Sequence, residues 1–135
     1  MGEEMSRTIS EVTISNKTEE EVINNIYKWF EKNGFAILSL NSDGSELKFG
    51  GIKINPEIGK LIAINYKETG IIAFELNLNS DNNHTIVHCE YYVAGWGPLG
   101  ARKELEVNDE AIWGRWPRRR GFKLKTEFEE FLKSL

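Results

Sequence analysis

"IIAFELNLNSDNNHTIVHCEYYVAG", Ile71 to Gly95, holds two runs of β-type residues on either side of a polar turn. In the first run Ile72, Phe74, Leu76 and Leu78 alternate with Ala73, Glu75, Asn77 and Asn79, the period of two that puts one set on each face of a strand. In the second, Thr85, Val87, Cys89, Tyr91 and Val93 share one face, and Ile86, His88, Glu90 and Tyr92 share the other. The "SDNN" between them allows only a chain reversal, since parallel pairing needs a crossover of about a dozen residues. The two runs are therefore expected as antiparallel neighbours, with the Phe74 face toward a core and the Glu75 face toward water.

The same logic extends in both directions. "FAILSL", "ELKFGGIKI" and "KLIAINYK" precede the hairpin as further β-type runs, separated by the turn signals "NSDGS", "NPEIG" and "ETG". Gly50 and Gly51 are expected to bend the second of these so that the sheet curls. Upstream, "NKTEEEVINNIYKWFEKNG" predicts a helix: Thr18 and Glu21 form a capping box, Glu19 and Glu20 suit its positive end, and Gly34 stops it. Its buried stripe is expected to be Val22, Ile23, Ile26, Tyr27 and Phe30. "RTISEVTIS", Arg7 to Ser15, reads as a first strand, at an edge or bulged. After the hairpin, "ARKELEV" reads as a last strand, and a terminal helix runs from Pro117 or Phe122 to Ser134 with Leu124, Phe128, Phe131 and Leu135 on one face.

With 135 residues and 40% hydrophobic content, one domain spanning 1–135 is expected. The fold class is α+β: a curved antiparallel sheet of five to six strands, with an N-terminal helix and a C-terminal amphipathic helix packed on it. The element order, from "RTISEVTIS" to "FKLKTEFEEFLKSL", resembles the helix-grip fold of the START-domain and birch-pollen-allergen superfamily. A TATA-binding-protein half-domain has nearly the same order. The helix-grip resemblance implies a terminal helix lying in the hollow of the sheet, with a ligand space between them.

That space would be lined by Phe49, Ile64, Phe74, Leu76, Tyr91, Trp113, Trp116, Leu124 and Phe128. Of these, Phe74, Tyr91, Trp113, Trp116 and Phe128 are the candidate contacts for an apolar or amphipathic small molecule. The second candidate site is "WGRWPRRRGFK", Trp113 to Lys123, which contributes +5 to a chain of net charge −4, leaving the remainder at −9. Arg115, Arg118, Arg119, Arg120 and Lys123 interleaved with tryptophan suit an anionic group, because guanidinium forks grip phosphates and indole faces stack on bases. Cations at a helix's N-terminal end oppose its dipole, so helix stability does not account for the cluster.

Two binding roles follow. The leading expectation is a small protein that holds an apolar ligand between sheet and terminal helix, with the basic segment as its rim. The alternative is a nucleic-acid or protein adaptor that uses residues 113–123 at the surface and has no internal cavity. Catalytic machinery is not legible. His88 and Cys89 point to opposite faces of their strand, which separates any metal-ligand or Cys–His pair and leaves Cys89 as a small buried hydrophobe. Glu75 and Glu90 lie on neighbouring strands and read as solvated. No metal, cofactor or phosphate-cradling glycine loop is expected. A single cysteine and the acidic start "MGEEMS" point to the cytoplasm, and no apolar run is long enough to span a bilayer.

Overall fold

The computed structural model describes residues 7–38, 47–49, 52–54, 61–67, 70–81, 83–96, 102–111 and 115–135. The elements are β1 (Thr8–Ser15), α1 (Glu19–Lys32), β2 (Ala36–Leu38), β3 (Leu47–Phe49), β4 (Ile52–Ile54), β5 (Leu61–Lys67), β6 (Gly70–Asp81), β7 (His84–Trp96), β8 (Arg102–Glu106) and α2 (Arg115–Lys133). Six strands form one open antiparallel sheet in the order β1-β7-β6-β5-β2, with β8 also on β7.

The β6–β7 hairpin is the spine. Asp81 pairs with His84, closing the turn at Asn83, whose φ of 69° is one that asparagine tolerates. From there the register runs unbroken to Ile71 opposite Ala94. The other edge of β7 is shared end to end. β1 covers His84 to Tyr91 and β8 covers Tyr92 to Trp96, with the Thr8 hydroxyl donating to the Val107 carbonyl at 3.3 Å across the join. Within "ARKELEV", Arg102–Glu106 is thus a strand, and β1 is an edge strand without a bulge.

Helix α1 begins as its sequence dictates. Thr18 Oγ1 accepts the Glu21 N–H at 3.1 Å, and three glutamates occupy the first turn. It ends in a Schellman motif: Gly34, at φ 76°, donates to Glu31 O, and Phe35 donates to Phe30 O. Val22, Ile26 and Phe30 are fully buried, worth about 1.5–3 kcal/mol each. Tyr27, expected in that stripe, is exposed; Trp29 packs on the core instead.

Both helices lie on the Phe74 face of the sheet, where α1 and α2 share a core with Val12, Ile14, Leu76, Val87, Cys89 and Tyr91. The opposite face departs from expectation. Toward the outer end of β6, Asn77 and Asn79 are exposed, but in its inner half Ile71, Ala73 and Glu75 are fully buried. With Ile62, Ile64, Tyr92 and Ala94 the apolar members form a second buried cluster, so the middle of the sheet has two dry faces. Ile64, expected in the gap beneath α2, belongs to this far cluster.

"ELKFGGIKI" is likewise not one bent strand. Leu47 pairs with Ile54 and Phe49 with Ile52, so β3 and β4 form a separate two-stranded hairpin. A pattern of alternating side chains is the same for a continued strand and for one that reverses, and two glycines permit the reversal. Gly50 and Gly51 themselves lie outside the described residues. Strand β4 lies against β7, and since both edges of β7 are occupied, it does so across a face.

Candidate functional site

The interface between the sheet and α2 is filled by rings. Phe74, Tyr91 and Phe128 have no exposed surface. Phe74 meets Tyr91 edge-on with centroids 4.7 Å apart, and Phe128 lies 5.5 Å from Phe74 and 5.4 Å from Phe30. Trp29 adds contacts at 4.9 Å to Phe128 and 6.3 Å to Phe74, and Phe35 lies 4.8 Å from Phe74. Centroid separations of this size are direct contacts, so these rings occupy each other's ligand space. Trp116 sits apart from them at the surface, 67% exposed. Trp113 and the side chain of Phe49 lie outside the described residues.

Helix α2 starts at Arg115, two residues before Pro117. A proline fits there because first-turn N–H groups have no intrahelical acceptor to lose. This start sets the helical phase of the cationic segment and divides it. Arg118 turns toward the body: its Nε donates to Glu106 O at 2.9 Å, its Nη2 lies 3.8 Å from Glu106 Oε1, and its own carbonyl accepts from Asn108 N. Arg120 donates to Asn65 Oδ1; Asn65 is 3% exposed and passes its own amide protons to the Asn33 and Gly34 carbonyls at the end of α1. Partial burial lowers the Arg120 pKa from its ordinary value. Between these two, Gly121 lets α2 approach so closely that a Cβ there would stand 2.6 Å from Val107 Cγ1.

The outward face carries the other members. Trp116, Arg119 and Lys123 are exposed at positions i, i+3 and i+7, within about 60° of one another on the helix. Neither Arg119 nor Lys123 forms a side-chain ion pair among the described residues. Of Arg115 only the backbone is described. From Arg115 to Thr126 the helix has six cations and no acid, while Glu127, Glu129 and Glu130 fall in its second half. This is the reverse of what the helix dipole favours.

A polar cluster on the far face escaped the sequence reading. Glu75 pairs directly with Glu90, and the Arg7 guanidinium binds both, at 3.3 Å from Glu90 Oε1, while lying 4.2 Å over the Tyr92 ring. Tyr92 OH donates to Glu75 Oε1 at 3.0 Å, and His88 lies between Glu90 and Glu11. Glu75 is fully buried rather than solvated. The available signal was Ala73 and Ile71 on its own face, two positions with nothing polar about them.

Other reactive side chains are quenched. Burial pushes the Cys89 thiol well above its ordinary range and does the same to the Tyr91 phenol, which shares a 2.5 Å hydrogen bond with Ser10 Oγ. Among the described residues, no group of three or more His, Cys, Asp or Glu side chains is placed to hold a metal ion, and no helix is long and apolar enough to cross a membrane. Comparison with known proteins finds no matching family model, no similar curated protein and no similar solved structure.

Proposed function

We propose that this chain is a small adaptor that grips an anionic partner with the outward face of α2 and has no ligand cavity between sheet and helix. The observation that carries the reading is the division of the basic segment. Arg118 and Arg120 are consumed in fixing the helix to the body, while Arg119 and Lys123 are held out from it and Trp116 is exposed on the same face. A rigid scaffold that presents unpaired cations loses little side-chain and backbone freedom on binding. The ring packing of Phe30, Phe74, Tyr91 and Phe128 weighs against the small-molecule reading, which needs that volume. The element order supports a helix-grip kinship as part of the same proposal, and the single buried Cys89 supports a cytoplasmic setting.

Heparin, a polyanion without bases, tests the electrostatic half. The wild-type chain is expected to bind it, more weakly as salt rises. Arg119→Ala/Lys123→Ala should lose most of this binding with an unchanged melting temperature, because exposed substitutions shift stability by only about 0.5 kcal/mol. Equal retention of the two proteins would overturn the assignment of the outward face.

A further inference from the structure

The partner's chemistry is narrowed by what stands beside the two outward cations. We infer that the outward face of α2 is a binding site for single-stranded nucleic acid, in which Trp116 stacks on an unpaired base while Arg119 and Lys123 hold the flanking phosphates. This rests on the adaptor reading and specifies it.

Three observations favour that occupant. First, Trp116 keeps 67% of its surface exposed on the same face as the cations. An indole beside guanidinium and ammonium groups matches a polymer that alternates π-faces with phosphates. An acidic peptide offers only the charge. Second, the cationic stripe is short and gives way to acids at its C-terminal end. Seven residues of helix span roughly 10 Å, and beyond Lys123 the helix turns to Glu127 and Glu130. A stiff duplex laid across the helix would set its phosphates against these carboxylates and would keep its bases stacked out of reach of Trp116. A single strand can follow the stripe. Third, α2 offers little apolar surface to a bilayer. Phe128 and Leu132 are buried, and Phe122, Leu124 and Phe131 pack against the core, so Trp116 would insert alone.

The test uses the full chain with a labelled oligo-dT, its duplex with oligo-dA, heparin, poly-glutamate and phosphatidylserine vesicles. Oligo-dT should bind more tightly than the duplex. Two phosphate contacts give a slope of log affinity on log salt of about −1.4. Trp116→Ala should weaken oligo-dT by about fivefold or more and leave heparin unchanged, while Trp116→Phe retains most of the affinity. If Trp116→Ala has no effect on oligo-dT, or if the duplex, poly-glutamate or the vesicles bind more tightly, the inference fails though the adaptor reading stands. Loss of all binding, heparin included, would remove the adaptor reading itself.

Discussion

An alanine at position 121 sets two effects of known sign against each other. Replacing glycine in a helix interior favours the helix by about 1 kcal/mol. In this site the new Cβ would lie 2.6 Å from Val107 Cγ1, 3.4 Å from Val107 Cβ and 3.5 Å from Ile72 Cγ2. Carbon atoms attract best at about 3.5–4.0 Å, so the first contact is roughly 1 Å too close and the other two are at or near the comfortable limit. Val107 is 3% exposed and β-branched, so it has no spare rotamer into which to swing. Overpacking of this kind costs about 1–3 kcal/mol. The clash wins: Gly121→Ala should destabilise the fold by about 1 kcal/mol, read as a lower urea midpoint at unchanged m-value. Val107→Ala alone, which removes two buried methyls, should cost about 2 kcal/mol. In the double variant the added methyl occupies space the valine has left, so its loss should be at least about 1 kcal/mol smaller than the two single losses together. A Gly121→Ala protein that is more stable than wild type, or a double variant that is strictly additive, would refute the close docking of α2 on which the outward face depends.

Two further expectations concern the sheet. Burial raises the Cys89 thiol above its ordinary 9.0 and the Tyr91 phenol above its ordinary 10.0, so the folded protein keeps protons that the unfolded chain releases. Stability should hold up to about pH 8.5 and then fall, by at most about 1.4 kcal/mol per pH unit for each group; urea midpoints from pH 8 to 10.5 check this, and a flat profile, or one that Cys89→Ala leaves unaltered, contradicts it. On the far face, Arg7→Ala leaves the directly opposed Glu75 and Glu90 without the guanidinium that joins them and should cost about 3 kcal/mol. Glu75→Gln in that background should restore part of the loss, whereas an Arg7→Ala effect below about 0.5 kcal/mol would show that the pair is held by other means.

What the sequence disclosed was local. The alternation through Ile72, Phe74, Leu76 and Leu78 set the face of β6, the four polar residues after it set the hairpin, and Thr18, Glu21 and Gly34 bounded α1. What it withheld depends on residues far apart in the chain. Glu75 reads as solvated beside Asn77 and Asn79, and its burial follows from Ile62, Ile64, Tyr92 and Ala94, which no window around it contains. Its cation, Arg7, is 68 residues away. The basic segment was visible as a charge count, but a count does not say which members face inward. That needed the helical phase, and the phase depended on whether the helix starts before or after Pro117.

The phase also explains how a helix charged against its own dipole persists. Cations fill the first half of α2 and all of its acids fall in the second, a distribution that would weaken the same segment in isolation. Docking offsets this. Arg118 is tied to Glu106 and Asn108 on one flank, Arg120 is tied through Asn65 to the end of α1 on the other, and Gly121 brings the backbone onto Val107 and Ile72 between them. Two of the segment's charges thus supply the anchoring that lets Arg119 and Lys123 stand exposed at a fixed separation. The inner pair cannot be removed as a test of binding, because its loss would free the helix and disperse the outer pair with it. Only substitutions at Trp116, Arg119 and Lys123 separate the contact surface from the fold that presents it.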